Sequence, residues 1–177
     1  MSKTVGKQFE QDLSASIPEG VYYQRLKDPA QSFGGGNGRT RFSPKNPYDC
    51  FMYVYPNLYA LELKSLVKAA SFWRQSYAKS QAKTAYSIKR HQVEGLLEAS
   101  KHEGVIAGFI FNFRDTNHTY FTEIGKFVNL TNHMNKMSVN EMDILSIGIL
   151  IPQRQLRVNW RYDIQSLIDK VGGAKGR

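Results

Sequence analysis

Asp49, Glu62 and Lys64 are the residues of this chain whose types and spacing best suit chemistry. Two carboxylates offer the hard oxygen donors that Mg²⁺ prefers, and an ion so held keeps coordination positions for water and a phosphate oxygen. Such an ion acts as a Lewis acid and lowers the pKa of an attacking water. An ammonium group beside it, Lys64, orients that water or offsets the negative charge that develops on the phosphoryl oxygens. The chemistry these parts add up to is metal-assisted hydrolysis of a phosphodiester. A plain ion pair on a solvated strand is the competing reading of Glu62-Leu63-Lys64. The acid at Asp49 and the apolar neighbours Leu61 and Leu63 count against it.

A hairpin is what must bring these groups together. Residues 50–55 and 58–64 are rich in aromatic and aliphatic side chains and flank Pro56-Asn57, which predicts two antiparallel strands with those two residues as the turn. Counting outward, Tyr55 faces Leu58 and Asp49 faces Lys64, and directly opposed residues share a sheet face. Glu62 points to that face too, because strand side chains alternate. A slip of one residue sends Asp49 through the sheet.

The flanking elements follow from periodicity. Val5, Phe9, Leu13 and Ile17 recur every four residues, predicting a helix over 2–16 that carries Glu10 and stops at Pro18 and Gly20. Residues 21–26 read as a short strand, 28–47 as a long loop, and 65–87 as a polar, small-residue connection. A second helix is predicted over 88–103, ended by Gly104, then a buried strand over 105–113 with 119–123 as its partner. Beyond these come a capping box at Ser138 and Glu141, a strand over 147–151 and a helix over 164–171. The chain thus reads as one domain over 1–171 with a flexible basic tail over 172–177, in the order α-β-β-β-α-β through its first two-thirds.

Charge points to a polyanion. The 177 residues carry 24 Lys and Arg against 15 Asp and Glu, a formal charge of +9. Seven bases and no acid lie between positions 64 and 90: Lys64, Lys68, Arg74, Lys79, Lys83, Lys89 and Arg90, interleaved with Phe72, Trp73, Tyr77 and Tyr86. Phosphate contacts with stacking or wedge groups is one reading, a basic loop with its aromatics folded into the core the other. Arg25, Lys27, Arg39, Arg41 and Lys45 surround a second, glycine-rich stretch at 34–38, which lacks the Gly-Lys-Ser/Thr of a nucleotide loop and reads as a DNA-contacting arm or a plain linker. The single cysteine, Cys50, excludes a disulfide framework and a CxxC zinc site. The four histidines lack metal-ligand spacing and read as structural or exposed. With no apolar leader and only strand-sized aliphatic runs, the expected location is cytoplasmic, with no membrane partner.

Asp49 followed by Glu62-Leu63-Lys64 resembles the motif of the PD-(D/E)xK nuclease superfamily. More narrowly, the chain resembles the RecU-type Holliday junction resolvases. Gly6-Lys7-Gln8-Phe9-Glu10 is similar to their N-terminal helix motif, Asn46-Pro47-Tyr48-Asp49 to the approach to their first acid, and His91-Gln92 to the start of their second helix, over roughly residues 5–125. The resemblance implies an α/β fold with a restriction-endonuclease-like core, a mixed sheet flanked by helices. It implies that Asp49 and Glu62 hold Mg²⁺, with Mn²⁺ as a substitute, that Lys64 is catalytic, and that Glu10 completes the acidic cluster. Gln92 then lines the site, against its reading as an exposed helix residue. The implied partners are branched DNA, four-way junctions first, and a second copy of the chain, since paired incisions need two sites. Cellular RecU proteins carry a long stalk between the motif strands, whereas the connection here is only Pro56-Asn57. That departure suits a compact, phage-like version, or another enzyme of the superfamily acting as a restriction-like or repair endonuclease. A basic DNA-binding module whose acids are structural is the non-enzymatic alternative.

Overall fold

The computed structural model describes residues 3–26, 45–74 and 86–175. Helix α1 (Lys3–Ser14) buries Phe9 and Leu13, which its spacing sets on one side, and the chain turns at Gly20, whose φ of +85° suits a residue without Cβ. Strands β1 (Tyr22–Arg25), β2 (Cys50–Val54) and β3 (Asn57–Leu66) follow, then a short β4 (Ala69–Ser71), helix α2 (Arg90–Ala99), β5 (Val105–Phe113) and β6 (His118–Glu123). The α-β-β-β-α-β order of a restriction-endonuclease-like core is therefore present, with β4 as an addition. Helix α3 (Ile124–His133), β7 (Ser138–Asn140), α4 (Glu141–Leu145), β8 (Ile149–Ile151), β9 (Gln153–Gln155), β10 (Trp160–Tyr162) and α5 (Ile164–Lys175) complete the chain.

Six strands form the central sheet in the order β1-β2-β3-β5-β6-β8. Every neighbouring pair is antiparallel except β3 and β5, which run parallel from Leu58↔Val105 to Leu66↔Phe113. A parallel pair needs a crossover, and α2 lies in that connection. The sheet is mixed and covered on both faces. Tyr59, Leu61 and Leu63 of β3 join a core with Phe9 and Leu13 of α1 and Leu167 and Val171 of α5. Ala60 and Leu66 join the opposite core with Val93 and Leu96 of α2, Phe127 of α3 and Ile144 of α4. Strand alternation thus assigns Glu62 and Lys64 to the α2 side. Among the described residues no helix is long and apolar enough to cross a membrane.

The hairpin differs from its predicted register. Val54 pairs with Asn57 and Cys50 with Leu61, so the turn residues are Tyr55 and Pro56 rather than Pro56 and Asn57. Proline has no N–H to give a ladder, whereas Asn57 joins it, and Tyr55, 84% exposed, takes the first turn position. One step past the last pair, Asp49 lies opposite Glu62 instead of Lys64. The pairing moves by two residues, an even shift, so Asp49 keeps the face that alternation assigned to it.

Other differences are local. Ile88 forms an isolated bridge to Phe72 ahead of α2, which is shorter than its predicted 88–103 span. The cap of α4 is Asn140, whose side chain accepts from Asp143 N, rather than Ser138. Ser138 pairs with Ser71 in the β4–β7 ribbon instead. Helix α5 continues to Lys175, so the expected tail from 172 begins as helix, and 176–177 lie outside the described residues.

One contact fixes the approach to the motif. Gly95 of α2 packs on the segment ahead of Asp49, so that a Cβ there would meet Pro47 O at 2.6 Å and Pro47 Cβ at 2.7 Å. Gly95→Ala gains roughly 1 kcal/mol of helix propensity but forces that segment outward at a cost of about 1–3 kcal/mol. The expected outcome, read by urea denaturation, is a net loss of stability; a gain would show that the segment yields freely.

Candidate active site

The site grows from the middle of β3. Glu62 is 2% exposed, and Lys64, two residues on, places Nζ 3.0 Å from Glu62 Oε1. Asp49 reaches the same place because it leads into β2. Its backbone N–H donates to Leu61 O at 3.1 Å, and its Oδ2 accepts from Leu63 N at 2.8 Å. The first carboxylate is therefore anchored to the backbone of the strand that carries the second.

Gln92, in the first turn of α2, ties these groups to the helix. Its Nε2 donates to Glu62 Oε1, and its Oε1 accepts from Lys64 Nζ at 3.1 Å and from Lys89 N at 2.9 Å. One amide thus closes the start of α2 and holds both members of the Glu62–Lys64 pair. It is half-buried and engaged, not a free exposed residue.

Burial pushes the Glu62 carboxyl up to about 7; Lys64 pulls it down, and Asp49, by its charge and its hydrogen-bonding contact, raises it again. Two hard carboxylates against each other, one of them desolvated, form a donor set that a divalent cation would relieve. The pair fits Mg²⁺. The expected third acid does not join it. Glu10 forms an ion pair with Arg25 at 2.5 Å, and among the described residues no group of three Asp, Glu, His or Cys side chains is arranged to hold a metal. Glu10 stays in the vicinity, since its charge disfavours ionisation of Cys50, the residue after Asp49.

Basic groups ring the α2 end of the site. His91 is half-buried, and burial first, then Lys45, Lys89 and Lys64, hold its pKa below the usual imidazole range. From sequence, His91 reads as structural or exposed, within the His91-Gln92 pair likened to the start of the RecU second helix. Lys45, Lys68 and Lys89 are exposed. Arg90 pairs with Glu94 at 2.8 Å and lies over the Trp73 ring at 5.3 Å. Arg25 is engaged by Glu10.

Arg74 is a correction to the expected DNA contacts. It is 5% exposed, and its Nη1 donates to Thr131 O at 2.7 Å and Met134 O at 2.9 Å, covering the end of α3. Phe72, from the same stretch, is fully buried. Arg39, Arg41, Lys79 and Lys83 lie outside the described residues.

No protein-family model matches the chain. It is 30% identical over 180 residues to the SPbeta prophage-derived uncharacterized protein YotM of Bacillus subtilis strain 168, a match spanning 94% of this chain and 86% of that protein. The chain belongs to the YotM family. Among solved structures, this YotM relative is similar to Hjc, a Holliday junction resolvase from the archaeal hyperthermophile Archaeoglobus fulgidus. That similarity has a TM-score of 0.48 and 16% identity and covers 82% of this chain and 95% of Hjc.

Two outcomes follow for the YotM-family site. A carboxyl at about 7 when folded, against 4.5 ordinarily, contributes stability fully below pH 4.5 and loses it as the pH rises through 7. That shift amounts to about 3 kcal/mol. Metal-free protein should lose up to that much between pH 5 and 8, Mg²⁺ should restore part of it at pH 8, and Glu62→Gln should flatten both responses in urea melts. Equal profiles for the two proteins would contradict the account. Arg74→Ala should destabilise by about 2–4 kcal/mol, because it uncovers buried carbonyls, while DNA affinity of the folded fraction stays unchanged in a gel-shift titration.

Proposed function

We propose that this chain is a metal-dependent endonuclease acting on branched DNA, with four-way junctions as the preferred substrate. The observation that carries the reading is Glu62, a carboxyl buried to 2% exposure against Asp49, with the Lys64 ammonium 3.0 Å away. A second carboxylate adds repulsion to a purely structural ion pair, whereas a divalent-cation site makes use of it. Asp49 and Glu62 would hold Mg²⁺, which when bound supplies Lewis acidity and a water of lowered pKa. Lys64 Nζ, which donates to Gln92 Oε1, would be the cation available to a phosphate while Glu62 held the ion. Its charge would offset the negative charge building on the phosphoryl oxygens as the water oxygen, giving up a proton to solvent, bonds to phosphorus and the P–O ester bond breaks to an alkoxide that takes up a proton. Glu10, with Arg25 as its present partner, is the group best placed to add a further carboxylate on substrate binding.

The substrate follows from charge and motif. A formal charge of +9 favours a polyanion, and Lys45, Lys89 and His91 lie around the same helix start as Gln92. The junction preference rests on the RecU-like motifs, and symmetric incision of two strands makes the working unit a homodimer. The two-residue turn at Tyr55-Pro56, in place of a stalk, favours a second reading: a repair or restriction-like enzyme that cuts other DNA.

Wild type and Asp49→Asn, assayed on synthetic four-way junctions, flaps and plain duplexes with and without Mg²⁺, separate these readings. Asn keeps an acceptor for Leu63 N and loses the charge, so cleavage should fall by at least about 100-fold, or roughly 3 kcal/mol of barrier, while binding persists. Cutting of plain duplex as fast as junction supports the second reading. No Mg²⁺-dependent cutting of any substrate by wild type would sink the enzyme proposal.

A further inference from the structure

The β9–β10 hairpin has a charge pattern that the carboxylate site does not use. Arg154 and Arg161 are directly opposed across its ladder, and Arg157 stands exposed at its tip. Residues 147–162 contain no acid. Directly opposed like charges disfavour a two-stranded ribbon, and among the described residues neither Arg154 nor Arg161 enters an ion pair. Both line an open groove of about 530 Å³ between the hairpin and the end of α1, with Ser16 on the far wall. Asp163, the acid on the groove, is occupied by Ser166 N at 2.9 Å at the start of α5.

The hairpin is held in place. Trp160 N donates to Asp12 Oδ2 at 3.1 Å, Tyr162 N to Ser16 Oγ at 3.0 Å, and Gln8 Nε2 to Asn159 Oδ1 at 3.1 Å, so it is docked on the helix that carries Glu10. A hydrogen-bonded row links its base to the active strand. Ser65 Oγ, next to Lys64, donates to Asn112 Oδ1 at 3.3 Å, Asn112 Nδ2 to Thr119 Oγ1 at 3.0 Å, and Thr119 Oγ1 to Gln153 Oε1 at 2.5 Å. The row crosses β3, β5 and β6 at the sheet end where Lys64 lies and stops one residue before Arg154.

We infer that the groove lined by Arg154 and Arg161 is a second nucleic-acid contact that grips a DNA phosphate backbone passing the carboxylate site. The inference rests on the DNA-cleaving reading and adds residues to it. A phosphate between the two guanidinium groups relieves their repulsion and meets the bidentate geometry that arginine favours. Ser65 and Lys64 point to opposite faces of β3, so a backbone held by the arginines would come to Lys64 round the end of the sheet, where β3, β5 and β8 all finish.

The test is fluorescence anisotropy with a labelled four-way junction and a 30-base-pair duplex, in EDTA so that nothing is cut, over a range of salt. The double variant R154A/R161A should bind about tenfold or more weakly, and the slope of log affinity against log salt should fall by about 2, the loss of two phosphate contacts. R154K/R161K should keep the wild-type slope. Without DNA, the alanine variant should melt at or above the wild-type temperature, because a repulsion has been removed. Unchanged affinity and slope in R154A/R161A, or lowered melting that lysine fails to rescue, would overturn the inference. Wild type that binds neither DNA would overturn the DNA reading as a whole, whereas binding that ignores the arginines overturns the hairpin alone.

Discussion

Burying the Glu62 carboxyl is the constraint to which the rest of the site responds. At 2% exposure it has almost no water to solvate a charge, and Asp49 adds a second negative group beside it. An isolated buried carboxylate is too costly to keep ionised. The surroundings supply what solvent cannot: Lys64 from the same strand, the Gln92 amide from α2, and the Leu63 N–H that holds Asp49. Because Gln92 also accepts from Lys89 N, the start of α2 is set by the same group that steadies the acid. The close approach of Gly95 to Pro47 then ties that helix to the segment delivering Asp49. Helix, strand and loop are thus coupled through one carboxyl.

Strand alternation explains how much of this was legible in sequence. The period of two places Glu62 and Lys64 on one face whatever the turn, and the true register differs from the expected one by an even number of residues, so Asp49 stays with them. Its exact partner was not legible, since Pro56 satisfies either two-residue turn and only the ladder decides. Helix periodicity revealed α1, α2 and α5 but not which charge meets Glu10; Arg25 reaches it from β1, a meeting of two elements that spacing along the chain does not encode. Arg74 shows the limit of reading charge from composition. A basic residue in a basic stretch looks like surface, yet the carbonyls at the end of α3 required a donor, and α3 itself was not foreseen. Strands of three residues, as in β4, β7, β9 and β10, are too short for any periodicity to register.

The placement of the site within the sheet keeps it apart from the hairpin turn where a stalk would insert. The Tyr55-Pro56 turn closes β2 and β3 at the end remote from Asp49, with Gly104 against it: a Cβ on Gly104 would stand 3.2 Å from Pro56 O. An extension there would have to grow from a packed corner. At the opposite end, β3 finishes at Leu66 and β5 at Phe113, and the chain leaves β8 through Pro152 into the arginine hairpin. A projecting basic element therefore stands at the sheet end nearer Lys64, carried by the C-terminal part of the fold and braced against α1. Its bracing uses buried or half-buried polar groups, Asp12, Thr119 and Asn112 among them, each costly to desolvate unless paired. Those pairings hold the hairpin against α1 and the end of the sheet through backbone and side-chain bonds rather than through a loop.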